Sequence, residues 1–244
     1  MNLYGKNQVI ERFKANPKTI KKLYLIDGAE DAYIRELSGK HGISCIALSD
    51  KEFSVLAKNH NSQGIIAEVA DFSYAELDDL LELKDGEEYT FLALSNITDP
   101  QNLGSILRNI ACFGKFAVII PKHRSADINE TVLKVACGGE NYVPVVKVTN
   151  LIPALEQIKK AGYWVGGCVV EGGEDITSYK LPFPLCIIIG SESEGIRRGV
   201  VSHLDFKLTL PMPGAKLSLN AAVAAAVFSY EIMRQMRAQS KANK

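Results

Sequence analysis

Two hydrophobic patterns divide the chain. Over residues 1–72 short apolar segments alternate with helical spacing. "GKNQVIERFKA" has the recurrence of an amphipathic helix, "KKLYLID" reads as a strand, and "DAYIRELSGKHG" is a helix with a glycine stop. "ISCIAL", a further helix around 51–58 and "GIIAEVA" complete a small α/β unit. "DFSYAELDDLLELKDGEEY" then turns acidic and runs through Asp-Gly, which predicts a linker or bridging helix over 73–88. From Tyr89 the apolar runs lengthen. "TFLALS", "FAVIIP", "VPVVKV", "YWVGGCVV", "LCIIIG" and "FKLTLP" predict strands, with helical segments at 103–112, 129–137, 151–161 and 195–203 between most of them. Continuous Val/Ile-rich runs separated by helices predict a second α/β domain over 89–244, built on a mainly parallel sheet covered on both faces.

Composition narrows the class. The 244 residues are 47% hydrophobic and 23% charged, and no apolar run reaches membrane-spanning length. The opening "MNLYGKNQVIERFK" lacks the apolar core of a secretory signal, so a soluble cytoplasmic protein with no membrane partner is expected. Cys45, Cys112, Cys137, Cys168 and Cys186 show no CxxC spacing and the histidines form no ligand pattern. The expectation is buried thiols, with neither a metal site nor a disulfide framework. Net charge is zero, yet residues 1–22 carry six Lys/Arg against one acid, and the tail after Ile232 carries four and no acid. Basic ends permit a polyanionic partner without demanding one.

Candidate chemistry lies in three polar stretches. In "NITDPQNLGSILRNIACFG", Asn102 is expected to cap a helix whose apolar stripe is Leu103, Ile106, Leu107 and Ile110. Another face carries Gln101, Gly104, Ser105, Arg108 and Cys112, and the small Gly104 one turn away is expected to leave the Arg108 guanidinium approachable. In "LCIIIGSESEGIRRG" a buried strand ends at Gly190, and Gly195 is expected to open a helix. Strand carboxyl ends of parallel sheets are where ligands gather, and Glu192 and Glu194 there suit a neutral or cationic ligand better than a phosphate. In "LPMPGAKLSLNAAVAAAVFSYE", Pro211, Pro213 and Gly214 interrupt regular structure, Ser218 and Asn220 lead into a helix, and the alanine run permits close packing. No GxGxxG follows a strand and no GxxxxGK[ST] is present, which removes the dinucleotide and P-loop signatures.

Taken in order, "DPQNLGSILRNIACFG", "IIIGSESEGI" and "LPMPGAKLSLNAAVAAAVFSYE" resemble the SpoU family of RNA ribose methyltransferases, over residues 90–237. "YGKNQVIERF" and "NSQGIIAEVADF" are similar to that family's small RNA-binding domain, itself similar to a ribosomal-protein fold. The resemblance is strongest to 23S rRNA guanosine 2′-O-methyltransferases, with tRNA ribose methyltransferases more distant. It implies a SPOUT architecture, in which the C-terminal segment of a mainly parallel sheet threads a loop to make a trefoil knot. It also implies a homodimer, structured RNA as substrate and S-adenosyl-L-methionine as cofactor. The family's polar positions fall on Asn102, Arg108, Glu192, Ser218 and Asn220, implied to be catalytic. Cofactor contacts are implied at Gly190, Ser191, Glu192, Gly195, Leu210, Pro211, Met212, Pro213, Gly214, Ser218, Leu219 and Asn220. Two departures, Ser193 where a glycine is common and "SLNAAVA" where "SLNVSVA" is common, leave those side chains in place.

Methyl transfer to a ribose hydroxyl needs positioning and charge stabilisation at the attacking oxygen. The family proposal makes Arg108 a base. A guanidinium stays protonated across the biological pH range, so Arg108 is expected instead to act as a cation on RNA phosphate and the developing oxyanion. Asn102 is expected to orient Arg108 or the ribose, Glu192 to organise the site, and Ser218 with Asn220 to hold loop and substrate. The rival from another class is a non-catalytic RNA-binding or ribosome-assembly factor.

Overall fold

The computed structural model describes residues 1–28, 31–58, 60–82, 87–215 and 217–242, with side chains through Gln239. The stretch 83–86 of the expected linker, with its Asp-Gly, lies outside the described residues, as does Lys244 of the basic tail.

The N-terminal domain is a four-stranded sheet in the order β1-β4-β2-β3, with β1 Asn2–Tyr4, β2 Ile20–Ile26, β3 Ser44–Leu48 and β4 Ile65–Val69. Three helices accompany it: α1 Lys6–Ala15, α2 Ala32–His41 and α3 Asp50–Ala57. Local chemistry sets their ends. Asp31 accepts from the Ile34 amide at the start of α2, and Gly42 ends it in the left-handed region at φ 65°. Ser49 and Glu52 form a reciprocal capping box on α3. The short β1 carries too few residues for a periodicity signal; its pairing with β4 establishes it.

A short helix, α4 Leu77–Leu81, occupies the acidic segment and buries Leu77. The second sheet has seven strands in the order β7-β6-β5-β10-β8-β11-β9, every neighbouring pair parallel. They are β5 Thr90–Ser95, β6 Phe116–Pro121, β7 Val145–Val148, β8 Trp164–Cys168, β9 Glu174–Asp175, β10 Leu185–Gly190 and β11 Phe206–Thr209. Its helices are α5 Pro100–Ala111, α6 Glu130–Ala136, α7 Leu151–Lys160, α8 Arg198–Val201 and α9 Ala221–Ala242. Alternation within the apolar strands divides them between two cores. Leu92, Leu94, Val118, Ile120, Ile187 and Ile189 join the core that includes α5, α6 and α9 residues. Phe91, Ala93, Ala117, Ile119, Cys186 and Ile188 join the opposite core with Leu155 and Ile158 of α7. Among the described residues no helix is long and apolar enough to cross a membrane.

The first of these cores continues into the N-terminal domain through Leu3, Val9, Phe13, Leu23, Leu25 and Ile34. Polar contacts reinforce the junction. Glu130 accepts from the Asn2 amide at 2.9 Å and the Tyr4 hydroxyl at 3.1 Å, and Gln8 donates to the Lys134 carbonyl at 3.1 Å. Arg12 Nη2 meets Glu140 Oε1 at 3.0 Å, both side chains being almost wholly buried.

Two helix expectations and the expectation of buried thiols shift. α5 starts at Pro100, ahead of the expected 103, and its cap is Asp99, which accepts from the Gln101 amide; proline suits a first helical position because its missing N–H would be unpaired there. Gly195 opens no helix: it lies in a turn at φ 64°, bridged to Ser191, and α8 begins only at Arg198. Cys112 is exposed, Cys186 is buried and the other three thiols are intermediate.

Candidate functional site

The sheet's order reverses between β5 and β10. The chain runs outward from β5 through β6 to β7, then crosses to β8, and β10 returns to lie beside β5. Gly190 and Ser95, the last residues of β10 and β5, are register partners. Such a switch point, beyond the carboxyl ends of the strands, is where ligands gather in open parallel sheets.

The β10 loop is a tight turn. The Gly195 amide donates to the Ser191 carbonyl at 2.9 Å and the Glu194 amide to Ser191 Oγ at 3.2 Å. It folds back so closely that a Cβ on Gly190 would fall 2.1 Å from the Gly195 carbonyl carbon. Asn96, held at φ 63° just beyond β5, donates through Nδ2 to Glu194 Oε2 at 2.9 Å. Glu194 therefore ties the two loops together, and the Arg197 amide adds a bond to Ser95 Oγ at 3.3 Å.

Glu192 is the hub. Its Oε1 accepts from Asn102 Nδ2 at 2.9 Å and from the Ala221 amide at 3.0 Å. One oxygen thus joins the first turn of α5 to the first residue of α9. The Ala221 amide is the largest influence holding the Glu192 carboxyl below the usual carboxylate range, with Asn102 adding to it; an amide at a helix start favours negative charge. Asn220 caps α9, accepting from the Val223 amide at 2.8 Å.

Two cavities meet at this hub. One, of about 390 Å³, is lined by Gly190, Ser191, Glu192, Ser193, Gly195, Leu210, Met212, Ser218 and Leu219 together with Cys168, Val169, Val170, Ile196 and Phe228. The other, a more polar cleft of about 650 Å³, is lined by Asn102, Ser105, Arg108, Asn109, Asn220 and Val223 among others. The start of α9 separates them: Leu219 and Ala221 line the first, Asn220 and Ala222 the second.

The candidate residues fall on both sides of that wall. Asn102, Arg108 and Asn220 line the cleft, while Ser218 and Glu192 line the cavity. Pro211, Pro213 and Gly214 line neither of them, and shape the loop that carries Leu210 and Met212. Asn102 is inside α5, leaving its amide free for Glu192; it neither caps the helix nor bonds to Arg108. Gly104 does not clear space for Arg108: it is buried against α6, where an added Cβ would meet Val135 Cβ at 2.7 Å. Arg108 is exposed, and its guanidinium makes no hydrogen bond or ion pair among the described residues. Asn96 escaped sequence reasoning, although an asparagine directly after a buried strand is a signal for a left-handed turn.

An open parallel sheet with a ligand-sized cavity and a polar cleft beside its switch point is the arrangement of an α/β ligand-binding protein. The profile of the SpoU rRNA methylase family matches residues 89–230, and that of the RNA 2′-O ribose methyltransferase substrate-binding domain matches residues 3–75. The chain belongs to the SpoU rRNA methylase family. The 23S rRNA (guanosine-2′-O-)-methyltransferase RlmB of Pseudomonas aeruginosa is 37% identical over 239 residues, 96% of each chain. The RlmB of Neisseria meningitidis serogroup B is 36% identical over 96% of this chain and 94% of that relative. Among solved structures, the SpoU methyltransferase AviRb from Streptomyces viridochromogenes, in complex with the cofactor AdoMet, shares the fold at a TM-score of 0.80 and 22% identity, covering 98% of this chain and 91% of that one.

Proposed function

We propose that this protein transfers a methyl group from S-adenosyl-L-methionine to the ribose 2′-hydroxyl of a guanosine in structured RNA, 23S rRNA being the substrate its relatives' names indicate. The carrying observation is the pair of hydrogen bonds into Glu192 Oε1, which fixes the wall between the cavity and the Arg108 cleft. The residues of the cavity fit the cofactor. Ile196, Leu219 and Phe228 offer apolar surface for an adenine, and the Glu192 carboxylate suits a ligand carrying sulfonium and ammonium charges. When bound, S-adenosylmethionine supplies a methyl group on a sulfonium leaving group.

The chain's own residues then handle the hydroxyl. Arg108, unpaired and exposed in the cleft, is free to take an RNA phosphate and to stabilise negative charge growing on the 2′-oxygen. A guanidinium has no free lone pair for the hydroxyl proton, which passes to solvent in the open cleft. Asn102 acts through Glu192 and holds the wall, while Asn220 fixes the start of α9 and leaves its amide nitrogen toward substrate chemistry.

The working form is proposed to be a homodimer. Val223, Val227 and Tyr230 form an exposed apolar stripe along α9 while Ala221, Ala222, Ala225, Phe228 and Ile232 are buried. Val223 also lines the Arg108 cleft, so a twofold partner seated on the stripe would complete that cleft. Residues 1–72 serve as the RNA-binding domain, 73–88 as linker and 89–244 as the methyltransferase domain. The 190–221 region is assigned the family's knotted threading, a reading supported by the contact of α9's first residue with the β10 turn. A cytoplasmic setting follows from a ribosomal substrate.

Labelled S-adenosylmethionine, incubated with ribosomal RNA and transfer RNA fractions and followed by mapping of the modified ribose, tests the reading. Methyl incorporation at a guanosine ribose of 23S rRNA is expected, with about 10²–10³-fold or greater loss in Arg108→Ala, by analogy with a lost oxyanion donor, and partial retention in Arg108→Lys. Cofactor affinity should be unchanged in both, and light scattering should give a dimer. Turnover by Arg108→Ala close to that of the parent protein would remove the proposed role.

A further inference from the structure

A surface at the seam between the two domains has the composition of a single-stranded RNA contact. Tyr142 follows a 3₁₀ turn, Gly139–Asn141, and is 51% exposed although its neighbour Val143 is 1% exposed. The ring is nonetheless tethered: its hydroxyl donates to Glu11 Oε2 at 3.1 Å. Glu11 Oε1 accepts from Lys14 Nζ at 2.7 Å, so one carboxylate holds both the aromatic ring and a half-exposed ammonium. The only acid in residues 1–22 is thus engaged, and the surrounding charge of that segment is positive.

The place of this surface is set by two glycines. A Cβ on Gly138 would lie 2.5 Å from Glu11 Cβ, and one on Gly139 would lie 2.9 Å from the Arg108 Cα. Their missing side chains let the turn wedge between α1 and α5. The Tyr142 amide bonds to the Gly139 carbonyl at 3.0 Å, which sets the tyrosine one short turn from the backbone of Arg108. Unpaired RNA bases are recognised by stacking on aromatic rings beside cations that take phosphate, and a tethered ring loses little freedom when covered. A duplex, with its bases already stacked, would gain nothing from the ring.

We propose that Tyr142, with Lys14 beside it, is a stacking platform for an unpaired base flanking the nucleotide whose ribose meets Arg108. This inference rests on the RNA-methyltransferase reading of the site. The test measures RNA binding by fluorescence anisotropy, using fragments of 23S rRNA that retain the methylated nucleotide and its unpaired flanks, together with steady-state methylation and calorimetry with S-adenosylmethionine. Tyr142→Ala is expected to raise the RNA Kd and KM about 5- to 150-fold, the range for one lost base stack. Cofactor affinity and kcat at saturating RNA should be unchanged, and Tyr142→Phe and Tyr142→Trp should bind within about twofold of the parent, a ring being all that stacking needs. Parent-like RNA affinity in Tyr142→Ala would overturn the platform, as would equal losses in Tyr142→Phe and Tyr142→Ala, which would shift the role to the hydroxyl tether. RNA affinity lost in Tyr142→Ala, in a parent protein that methylates no RNA, would keep the platform and sink the enzymatic reading instead.

Discussion

Replacing Arg12 with alanine strips the counter-charge from a carboxylate buried at the domain junction. Arg12 and Glu140 are 7% and 5% exposed and meet at 3.0 Å. At an effective dielectric constant of about 20 that separation corresponds to an attraction of about 5–6 kcal/mol. Withdrawing each ion from water costs several kcal/mol, so the intact pair contributes little net stability. Among the described residues Arg12 Nε and Glu140 Oε2 have no hydrogen-bond partner, which keeps the balance close. Loss of the arginine alone leaves the buried charge unpaired and is expected to destabilise the protein by about 3–5 kcal/mol near pH 7.5. Burial already raises the Glu140 pKa above its ordinary 4.5, with Arg12 pulling the other way. Above the ordinary value the folded state therefore holds more protons at this site than the unfolded state, and stability falls as pH rises toward the folded value. Without Arg12 that window extends further upward, so the deficit should shrink on acidification to about pH 5. Urea unfolding followed by far-ultraviolet circular dichroism at both pH values gives the numbers. Arg12→Met combined with Glu140→Leu should sit within about 1 kcal/mol of the parent, since both charges leave together. A single-variant loss below about 1 kcal/mol at the higher pH, or a deficit that grows on acidification, would refute the reasoning.

Three further predictions concern the site. Glu192→Ala removes the acceptor shared by Asn102 and Ala221; at this exposed position about 1 kcal/mol per lost bond gives a cofactor affinity about 10- to 30-fold weaker by calorimetry, and an unchanged affinity would dismiss the hub. Because the folded carboxyl is held below its usual range, the stability it lends is present above the ordinary carboxylate value and lost as pH falls through the folded one; Glu192→Gln should flatten that acid limb in thermal melts. Gly190→Ala places a methyl group where Gly195 and Ile196 backbone atoms already lie, 2.1 to 2.5 Å from the new Cβ. The turn must move, with a stability loss of about 1–3 kcal/mol and loss of cofactor binding, and a variant that binds cofactor normally would show the close approach to be dispensable.

The strands carrying the site were legible because their signals are local. "TFLALS" and "LCIIIG" are uninterrupted apolar runs, and their burial follows from composition alone. Asn129 and Asn150 each precede an apolar-periodic segment and accept from amides in the first helical turn, caps that sequence reasoning did not single out. Asn102 misled because two cap-competent residues lie close together before the apolar stripe, and Pro100 favours Asp99 by supplying a ready first helical position. Gly104 misled because a small residue on a helix reads equally as open access or as close packing, and only the approach of α6 distinguishes them.

What the sequence determined by itself was most of the elements, short β1 and β9 and the turn at Gly195 excepted, with their two-sided burial and the polar residues available at strand ends, since period and composition act over a few neighbours. Three tertiary facts lay beyond it. The return of β10 to β5 put Glu192 within 2.9 Å of Asn102, ninety positions earlier in the chain. The contact with α9 made Glu192 a hub when its charge alone suggested a ligand contact. Packing α1 against the Gly138–Gly139 turn buried Arg12 and Glu140 together and left Tyr142 at the seam. Such pairings are set by which surfaces exclude water together, a property of the folded chain as a whole that no local period encodes.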